Sequence, residues 1–471
     1  MVCSHRGPVS YRVDESGVPR TAWTVPGGMV PLVLPMLERF GGRWIFAAIS
    51  DADRHAVSLG LQPEHAGGIS LHMLDLPRET HRRHYEDACV GYLGQVFTYE
   101  LGTDVHLGES WACYRQVNRM FAHAVTATAA RAKEVLVAHD YHLMLLAAEI
   151  RAASPRPLRG LYFHHMPWCE PDYFARVPAV VCRETLTGLL TFNAVGFYCD
   201  RWAQAFLRCC ERFLPHSEVT PEGVVFAGRR VSVIAEPAPL DVGVVRSIGG
   251  SSRAGEWVSR YRREQAGRWT IVRVDRVEPW KNALRGFLAF ESLLERRPDL
   301  AAKLWFLAIV SPARTWRPDY RRYFAECRAV VDPVNDRWRG RAGHAPITLH
   351  ADPDHTASDR HRALAGLRIA DAVLVDSTYD GFNLVAEEAL IVGEAAPVVV
   401  LSRNTGVYEE LTDGVLGIDP FDVERTGRAM ERAHGMTSRE RLRRASLLRA
   451  RILERSQAAW LEEQVFALTA N

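Results

Sequence analysis

Lysine is scarce in this sequence. Although 58 of its 471 residues are basic, only three of them are lysines, at positions 133, 281 and 303. Most of this bias reflects genome composition, but it singles out each lysine for inspection. The basic residues are matched by 56 acidic ones, which leaves a formal net charge of +2. Such a balance gives no indication of a nucleic-acid or membrane partner.

Long apolar runs and paired cysteines are also missing. No stretch approaches the roughly 18 apolar residues of a membrane-spanning helix, and the N-terminus lacks the apolar centre of a secretory signal. The nine cysteines form no Cys-x-x-Cys pair, and their odd number fits a reduced chain. We therefore expect a cytoplasmic protein, and homo-oligomerisation is left open.

Apolar segments of strand length alternate with helical patterns along most of the chain, which predicts an α/β fold with parallel sheets. The predicted strands are 44–49, 135–138, 160–163, 194–198, 231–235, 269–274, 304–310, 347–350, 373–375 and 398–401. The predicted helices are 111–130, 142–153, 200–213, 282–296 and 358–370, with further helix in the tail from 437 to 468. The length suits two domains. A Pro-rich segment near 236–239 suggests domains of 1–236 and 237–440, followed by C-terminal helices 441–471.

One stretch, 373–391, combines a buried strand, a polar turn and the start of a helix. The first turn of a helix offers unpaired backbone N–H groups and the positive end of a dipole, which favour an anion such as a phosphate. Asp380 and Glu388 lie eight positions apart, about two helical turns, so they could flank a ligand along this loop. The alternative is an ordinary strand-to-helix turn with solvated carboxylates.

A second loop of this kind carries two cations. Arg276 and Lys281 follow a predicted strand and precede a helix, where positive charge opposes the helix dipole and needs a reason to be there. A planar guanidinium and a compact ammonium could clamp a diphosphate, although two solvated cations would give the same pattern. Arg314 ends the next strand in a similar way.

In the first half, polar residues again follow predicted strands, where open α/β sheets build ligand clefts. Residues 139–142 end one strand and 163–167 another, and a Gly-Gly loop at 27–28 precedes a helical stretch. Four histidines in these loops could suggest zinc, but no His-Glu-x-x-His or Cys-His spacing accompanies them. We therefore expect no metal.

Taken together, these loops resemble the trehalose-6-phosphate synthases over nearly the whole chain, and the order and spacing of the pieces are specific. The matching pieces are Ser4–Arg6 (Ser-Asn-Arg in the family), Gly27–Gly28, His139–Leu143, Phe163–Pro167, Val274–Lys281, Arg314 with Tyr320, and Asp380–Glu388. The resemblance implies a retaining GT-B glycosyltransferase with two Rossmann-like domains facing across a cleft. The nucleotide sugar would bind the C-terminal domain and a phosphorylated acceptor the N-terminal one. The C-terminal helices would pack back toward the N-terminal domain.

The family also implies roles for individual residues. Catalytic roles fall to His165, Arg276, Lys281 and Asp380. Donor-binding roles fall to Gly27, Gly28, Arg276, Lys281, Asn383, Leu384, Val385 and Glu388, and acceptor-binding roles to Arg6, Tyr85, Asp140 and Arg314. Arg276 and Lys281 would stabilise the leaving nucleotide without a metal or other cofactor. Attack in this family is held to occur from the front face, with the departing phosphate taking the acceptor proton, so no protein nucleophile is expected.

Departures from the family pattern concentrate on the acceptor side. Gly94 stands where the family has an acceptor-side Trp, and Thr98 where it has a His, although Tyr92 or Phe97 could fill the space. Trehalose-6-phosphate formation is the default hypothesis. A second reading is a natural-product glycosyltransferase or a pseudoglycosyltransferase, like the one that joins two cyclitols in validamycin assembly, acting on a cyclitol or amino-sugar phosphate. A third is a non-catalytic paralogue that binds sugar phosphate, against which the intact donor residues count.

Overall fold

The computed structural model describes residues 1–23, 29–63, 69–103, 105–128, 134–154, 159–351 and 359–468. The chain divides into two compact units. The first contains Met1–Ala238 together with Gln457–Asn471, and the second contains Pro239–Ser456. None of the described helices is long and apolar enough to cross a membrane.

In the described part of the first unit, nine strands form one sheet in the order β5-β4-β1-β6-β7-β8-β11-β10-β9. The strands of this unit are β1 (Val2–Cys3), β2 (Val9–Val13), β3 (Pro19–Trp23), β4 (Gly42–Ala47), β5 (Ile69–Leu74), β6 (Val135–His139), β7 (Arg159–Phe163), β8 (Ala194–Phe197), β9 (Glu218–Thr220), β10 (Gly223–Phe226) and β11 (Arg229–Ala235). The strands from β5 to β11 pair in parallel, and β10 and β9 extend the sheet in antiparallel fashion. β2 and β3 form a separate hairpin.

The helices of the first unit are α1 (Val30–Phe40), α2 (Asp51–Ser58), α3 (Arg78–Arg82), α4 (Gly94–Phe97), α5 (Ser110–Thr128), α6 (Leu146–Ala153), α7 (Pro171–Phe174), α8 (Ala179–Leu189) and α9 (Asp200–Phe213). A π-helix, Arg83–Leu93, joins α3 to α4. Such wide turns are rare and occur often at functional sites, and this one carries Tyr85 and ends directly before Gly94.

Six described strands of the second unit form a wholly parallel sheet in the order β14-β13-β12-β15-β16-β17. They are β12 (Trp269–Val277), β13 (Leu304–Pro312), β14 (Ile347–Ala351), β15 (Ala372–Val375), β16 (Val398–Ser402) and β17 (Leu416–Ile418). The helices are α10 (Val242–Gly249), α11 (Ser252–Gln265), α12 (Ala283–Arg296), α13 (Pro318–Ala342), α14 (Arg360–Ile369), α15 (Val385–Val392), α16 (Val407–Leu411), α17 (Val423–Gly435) and α18 (Ser438–Glu454). Short 3₁₀ turns lie at Pro279–Lys281 and Pro298–Leu300.

The final helix, α19 (Gln457–Ala467), packs in the first unit, whereas α18 packs in the second. Arg39 and Glu462 form an ion pair of 2.7 Å between α1 and α19. The Trp460 indole meets the ring of Phe163 edge-on at 5.3 Å. The C-terminal segment therefore contributes a helix to each unit.

The predicted α/β class with two parallel Rossmann-like sheets is confirmed. Buried β-branched runs became strands because parallel strands covered on both faces are apolar throughout, as in β15, whose four residues are all buried. In both units the residues of interest follow the carboxyl ends of parallel strands, the edge where open α/β sheets bind ligands.

Candidate active site

The two cations of the predicted donor loop differ in their surroundings. The side chain of Arg276 is 55% exposed, whereas that of Lys281 is 12% exposed. The Lys281 Nζ lies 2.6 Å from Asp380 Oδ2, 3.9 Å from Asp275 Oδ1 and 4.3 Å from the centroid of the Trp280 ring. A buried ammonium needs such partners because desolvation disfavours its charge. Lys281 is therefore a fixed charge within the site and not a solvated surface lysine.

A buried arginine that the sequence analysis missed holds this loop in place. Arg273 is fully buried within β12, donates through Nη2 to the backbone oxygen of Lys281 and pairs with Asp376 and with Asp275, the latter at 3.0 Å. Burial works against the charge of Arg273, but the two carboxylates more than offset it and raise the pKa of the guanidinium. Burial also raises the pKa of Asp275 to about 6. The sequence did contain a signal for this residue: Arg273 is the one charged residue of the predicted strand 269–274.

Backbone contacts join the loop after β12 to the loop after β15. The backbone N–H of Thr378 donates to the carbonyl of Trp280 at 2.9 Å. The side-chain Nδ2 of Asn282 donates to the backbone carbonyl of Asp376 at the same distance. Asn282 adopts a left-handed φ of 64°, a conformation that Asn tolerates better than most residues. These bonds set the distance between the cations of one loop and Asp380 of the other.

Asp380 collects three donors on one carboxylate oxygen. Its Oδ2 accepts from Lys281 Nζ at 2.6 Å, from Asn383 Nδ2 at 2.9 Å and from Ser377 Oγ at 3.2 Å. Asn383 has a φ of 84° and accepts the Val385 N–H on its side-chain oxygen at 3.1 Å. This compact network fixes the turn that leads into α15.

The N-terminus of α15 has the character expected of an anion site. Its N-cap residue, Leu384, offers no side-chain acceptor. The Val385 N–H is taken by the Asn383 side-chain oxygen, and a ligand could bind the other N–H groups of the first turn. Glu387 and Glu388 in this first turn are each held by an arginine: Arg455 donates to Glu387, and Arg360 donates to Glu388 at 2.7 Å. Burial raises the pKa of Glu387 to about 7 and also raises that of Glu388.

Arg314 lies beside Glu278, in the same unit as the donor loop. It follows β13 with a left-handed φ of 46°, donates to Oε1 of Glu278 and lies 3.2 Å from the Tyr320 hydroxyl. Glu278 is fully buried, and its Oε2 lies 3.2 Å from Arg276 Nη2. The predicted donor and acceptor arginines of this unit therefore meet at one carboxylate.

Asp140 and His165 form a pair in the first unit. Asp140 follows β6 with a φ of 70°, donates its N–H to the Phe163 carbonyl at 2.8 Å and accepts the His165 N–H on Oδ1 at 3.3 Å. Burial raises the pKa of Asp140 to about 7, although hydrogen bonds from the backbone N–H groups of Tyr141 and His165 lower it in part. This carboxyl can therefore exchange a proton near neutral pH.

The imidazole of His165 is held from both nitrogens. Its Nε2 lies 3.0 Å from His139 Nδ1, and its Nδ1 contacts the Tyr198 hydroxyl. Burial, with the charges of nearby histidines, lowers the pKa of His165 well below its ordinary value. The ring is therefore neutral at pH 7 and oriented by its neighbours.

A group of rings surrounds Arg6 and Tyr85, two predicted acceptor residues. Arg6 Nη2 donates to the Tyr85 hydroxyl at 3.3 Å, and the Tyr85 ring stacks on His5 with centroids 4.5 Å apart. Arg54 lies 3.0 Å from His81 Nδ1, and His81 Nε2 lies 2.9 Å from His5 Nε2. Because arginine can only donate, His81 accepts at Nδ1 and donates from Nε2 to His5. These hydrogen bonds fix the ring of His5, against which Tyr85 stacks.

Gly94 lies where the π-helix passes into α4. A β-carbon built there would lie 3.2 Å from the backbone oxygen of Cys89 and 3.5 Å from the hydroxyl of Tyr141. Phe97 packs against the rings of His164 and Trp168. The Tyr92 hydroxyl bonds the Arg176 carbonyl at 3.4 Å. The aromatic group nearest to Gly94 in this structure is therefore the phenol of Tyr141.

Comparison with known proteins identifies the family. The model of glycosyltransferase family 20 matches residues 1–470. The chain belongs to this family. It is 28% identical over 484 residues to a validamine 7-phosphate valienyltransferase of Streptomyces hygroscopicus subsp. jinggangensis, covering 100% of this chain and 94% of the relative. It is 27% identical over 476 residues to a UDP-forming alpha,alpha-trehalose-phosphate synthase of Botryotinia fuckeliana, covering 99% and 88%.

Solved structures of the family have the same fold. A UDP-forming alpha,alpha-trehalose-phosphate synthase from Burkholderia vietnamiensis is 25% identical, with a TM-score of 0.84 over 95% of this chain and 96% of that one. The predicted resemblance is confirmed, and the chain is a glycosyltransferase.

The structure brings the predicted residues of this glycosyltransferase into one group in each unit. In the second unit Arg276 lies near the end of β12, Lys281 and Arg314 follow β12 and β13, Asp380, Asn383 and Leu384 follow β15, and Val385 and Glu388 lie in the first turn of α15. In the first unit Arg6, Tyr85, Gly94, Asp140 and His165 lie on loops after β1, β6 and β7 or on the π-helix and its end. Gly27 and Gly28 lie outside the described residues, so their predicted donor contact stays a prediction. Within the described residues, no three His, Cys, Asp or Glu side chains are grouped as metal ligands.

Proposed function

We propose that this family 20 enzyme transfers a sugar, with retention, from a nucleoside diphosphate sugar to a phosphorylated sugar-like acceptor. The observation that carries the proposal is the position of Lys281. Its ammonium is held 2.6 Å from Asp380, on a loop bonded to the one that leads into the N-terminus of α15. A diphosphate there would meet a point charge, a guanidinium and helix N–H groups together.

The donor residues divide the nucleotide sugar between them. Arg276 and Lys281 would hold the diphosphate, and Glu388 would take the ribose hydroxyls. The backbone at Asn383, Leu384 and Val385 would contact the same phosphates, with the Val385 N–H exchanging its bond to the Asn383 side chain for one to a phosphate. Asp380 and His165 would contact the transferring sugar. The partners of Asp380 support this role, because Oδ2 is occupied by Lys281, Ser377 and Asn383 and the carboxylate is thereby held in one orientation.

We propose that transfer needs no metal or other cofactor, since the two cations can neutralise charge that develops on the leaving diphosphate. Activity that survives exhaustive chelation would support this; activity restored only by a divalent cation would contradict it. The nine cysteines, all of them free, support the proposal of a reducing, cytoplasmic location.

The acceptor is assigned to Arg6, Tyr85, Asp140 and Arg314. Trehalose-6-phosphate formation is the default product. The second candidate is transfer to a cyclitol or amino-sugar phosphate, and two observations favour it: a β-carbon built at Gly94 would lie next to the phenol of Tyr141, and a valienyltransferase aligns over the whole chain. An amine on such an acceptor would suit Asp140, whose carboxyl titrates near pH 7.

Calorimetric titration with UDP, GDP and ADP tests the donor half of the proposal. We expect one nucleotide to bind with a dissociation constant in the micromolar range, and Lys281→Met to weaken it. Asp371→Asn is the matched control because it alters a partly buried ion pair of the same unit, with Arg441, at the opposite end of β15. Failure of all three nucleotides to bind the wild-type protein would refute the transferase proposal.

A further inference from the structure

One buried carboxylate touches arginines that the proposed function assigns to different substrates. Glu278 has no exposed side-chain surface; its Oε1 accepts from Arg314, and its Oε2 lies 3.2 Å from Arg276. In the proposed function, Arg276 binds the donor diphosphate and Arg314 binds the phosphorylated acceptor. The residue follows β12, and its backbone carbonyl also accepts the Lys281 N–H at 2.9 Å.

The charge of Glu278 is secured by these neighbours. Burial alone would raise its pKa, but Arg276, Arg314 and Lys281 act in the opposite direction and the net pKa is lowered. A buried carboxylate of this kind is stable only while its cations stay in place. The dependence is mutual, so the carboxylate also holds the cations.

The two arginines depend on Glu278 to different degrees. Arg276 is 55% exposed and is the penultimate residue of β12, so an anchor restricts a side chain that would otherwise sample many rotamers. Arg314 is 19% exposed and also contacts the Tyr320 hydroxyl at 3.2 Å. Glu278 thus restricts the more exposed donor arginine and is one of several contacts of the acceptor arginine.

We propose that Glu278 is a positioning residue for both substrates, which orients Arg276 toward the donor diphosphate and Arg314 toward the acceptor phosphate. This inference rests on the proposed function. An amide cannot replace the carboxylate here, because its NH₂ group would face one of two guanidinium groups that can only donate. Aspartate would keep the charge, but a side chain shorter by one methylene cannot span both arginines.

The test is a double-mutant cycle in full-length protein. The variants are Glu278→Gln, Arg276→Ala, Arg314→Ala and the two doubles that combine Glu278→Gln with each arginine change. Two quantities are measured in each: the dissociation constant for UDP, or for GDP or ADP if the wild type prefers it, and the acceptor KM. The acceptor is the hexose, pentose or cyclitol phosphate that the wild type turns over fastest.

Glu278→Gln should weaken nucleotide binding and raise the acceptor KM, each by about tenfold, the effect of losing one charged contact. In the Arg314→Ala background the change should add nothing to the acceptor KM but still weaken the nucleotide; in the Arg276→Ala background the pattern should reverse. Glu278→Asp keeps the charge but cannot reach both arginines. It should therefore bring either the nucleotide dissociation constant or the acceptor KM closer to the wild-type value than the other.

Three outcomes would overturn the inference. If the effects add in both backgrounds, Glu278 acts on the fold and not through the arginines. If the nucleotide binds more tightly to Glu278→Gln, the carboxylate merely repels phosphate. Unchanged constants would show that it has no role. Thermal melts alongside Asp371→Asn measure the general cost of losing a carboxylate that is paired with an arginine. If the wild type binds no nucleotide, the proposed function fails instead.

Discussion

Replacing Lys281 tests the chemical core of the proposed transferase. In Lys281→Ala the donor diphosphate loses its point charge, 2.6 Å from Asp380 in this structure. If that charge stabilises the leaving diphosphate in the transition state, its removal costs about 3 kcal/mol, or roughly a hundredfold in rate. Lys281→Arg should also lose activity, because a planar fork cannot take the place of a compact point charge that is held 2.6 Å from Asp380 in a tight loop.

The same change also leaves Asp380 short of a partner. Asp380 keeps its donors from Ser377 and Asn383, so we expect a stability loss of about 1–3 kcal/mol and an intact fold. The double variant Lys281→Met/Asp380→Asn removes the unpaired charge and should recover part of this loss. The turnover of this double variant should be no higher than that of Lys281→Met alone.

Steady-state turnover on the preferred donor, with thermal denaturation of each variant, separates the two effects. An unchanged kcat in Lys281→Ala would show that the ammonium only neutralises Asp380. Recovery of both stability and turnover in the double variant would contradict the proposal equally, since it would make the rate loss a consequence of the unpaired carboxylate.

Three further changes test other parts of the structure. Burial raises the pKa of Asp140 to about 7, so the carboxyl is ionised above that pH, and kcat/KM for the acceptor should rise as pH increases through about 7; Asp140→Asn should abolish this limb. Gly94→Trp should block the native acceptor, and steady-state comparison of hexose, pentose and cyclitol phosphates should show glucose 6-phosphate to be poor; efficient turnover, with KM below ~1 mM, would refute the altered pocket. Gly286→Ala would place a β-carbon 2.7 Å from Arg273 Nη1 and should destabilise the protein by about 1–3 kcal/mol. Gly340→Ala, which has open space around it, should be neutral or stabilising in the same thermal denaturation experiment. Equal effects of the two substitutions would contradict the overpacking argument.

Periodicity located the elements that bury one continuous face. The predicted helix 200–213 coincides with α9, Asp200–Phe213, because its apolar residues follow a regular helical spacing. The short strand β1 and the antiparallel pair β9 and β10 were not predicted, since two to four residues are too few to show a period. The π-helix also went unpredicted, because its wider turn follows neither period.

The candidate site was predictable where polar residues follow strand ends, as for Asp140 and Lys281. The residues that hold it were not. Arg273 and Glu278 are buried charges, and each has a partner distant in sequence: Asp376 for Arg273 and Arg314 for Glu278. Such pairs form only between loops of neighbouring strands. The order of the strands in the folded sheet cannot be obtained from the local sequence pattern.

Strand order has a consequence for how the donor site comes to exist. β12 and β15 are adjacent and parallel in the sheet, with Ile271 paired to Ala372, although β13 and β14 intervene in the chain. The bonds from Thr378 to Trp280 and from Asn282 to Asp376 form only after that long crossover has closed. Contacts of this separation are slow to form, because the entropy of closing the intervening chain must be lost first. A partly folded second unit therefore has the cations on one loop and the carboxylate on another, and no place for a nucleotide.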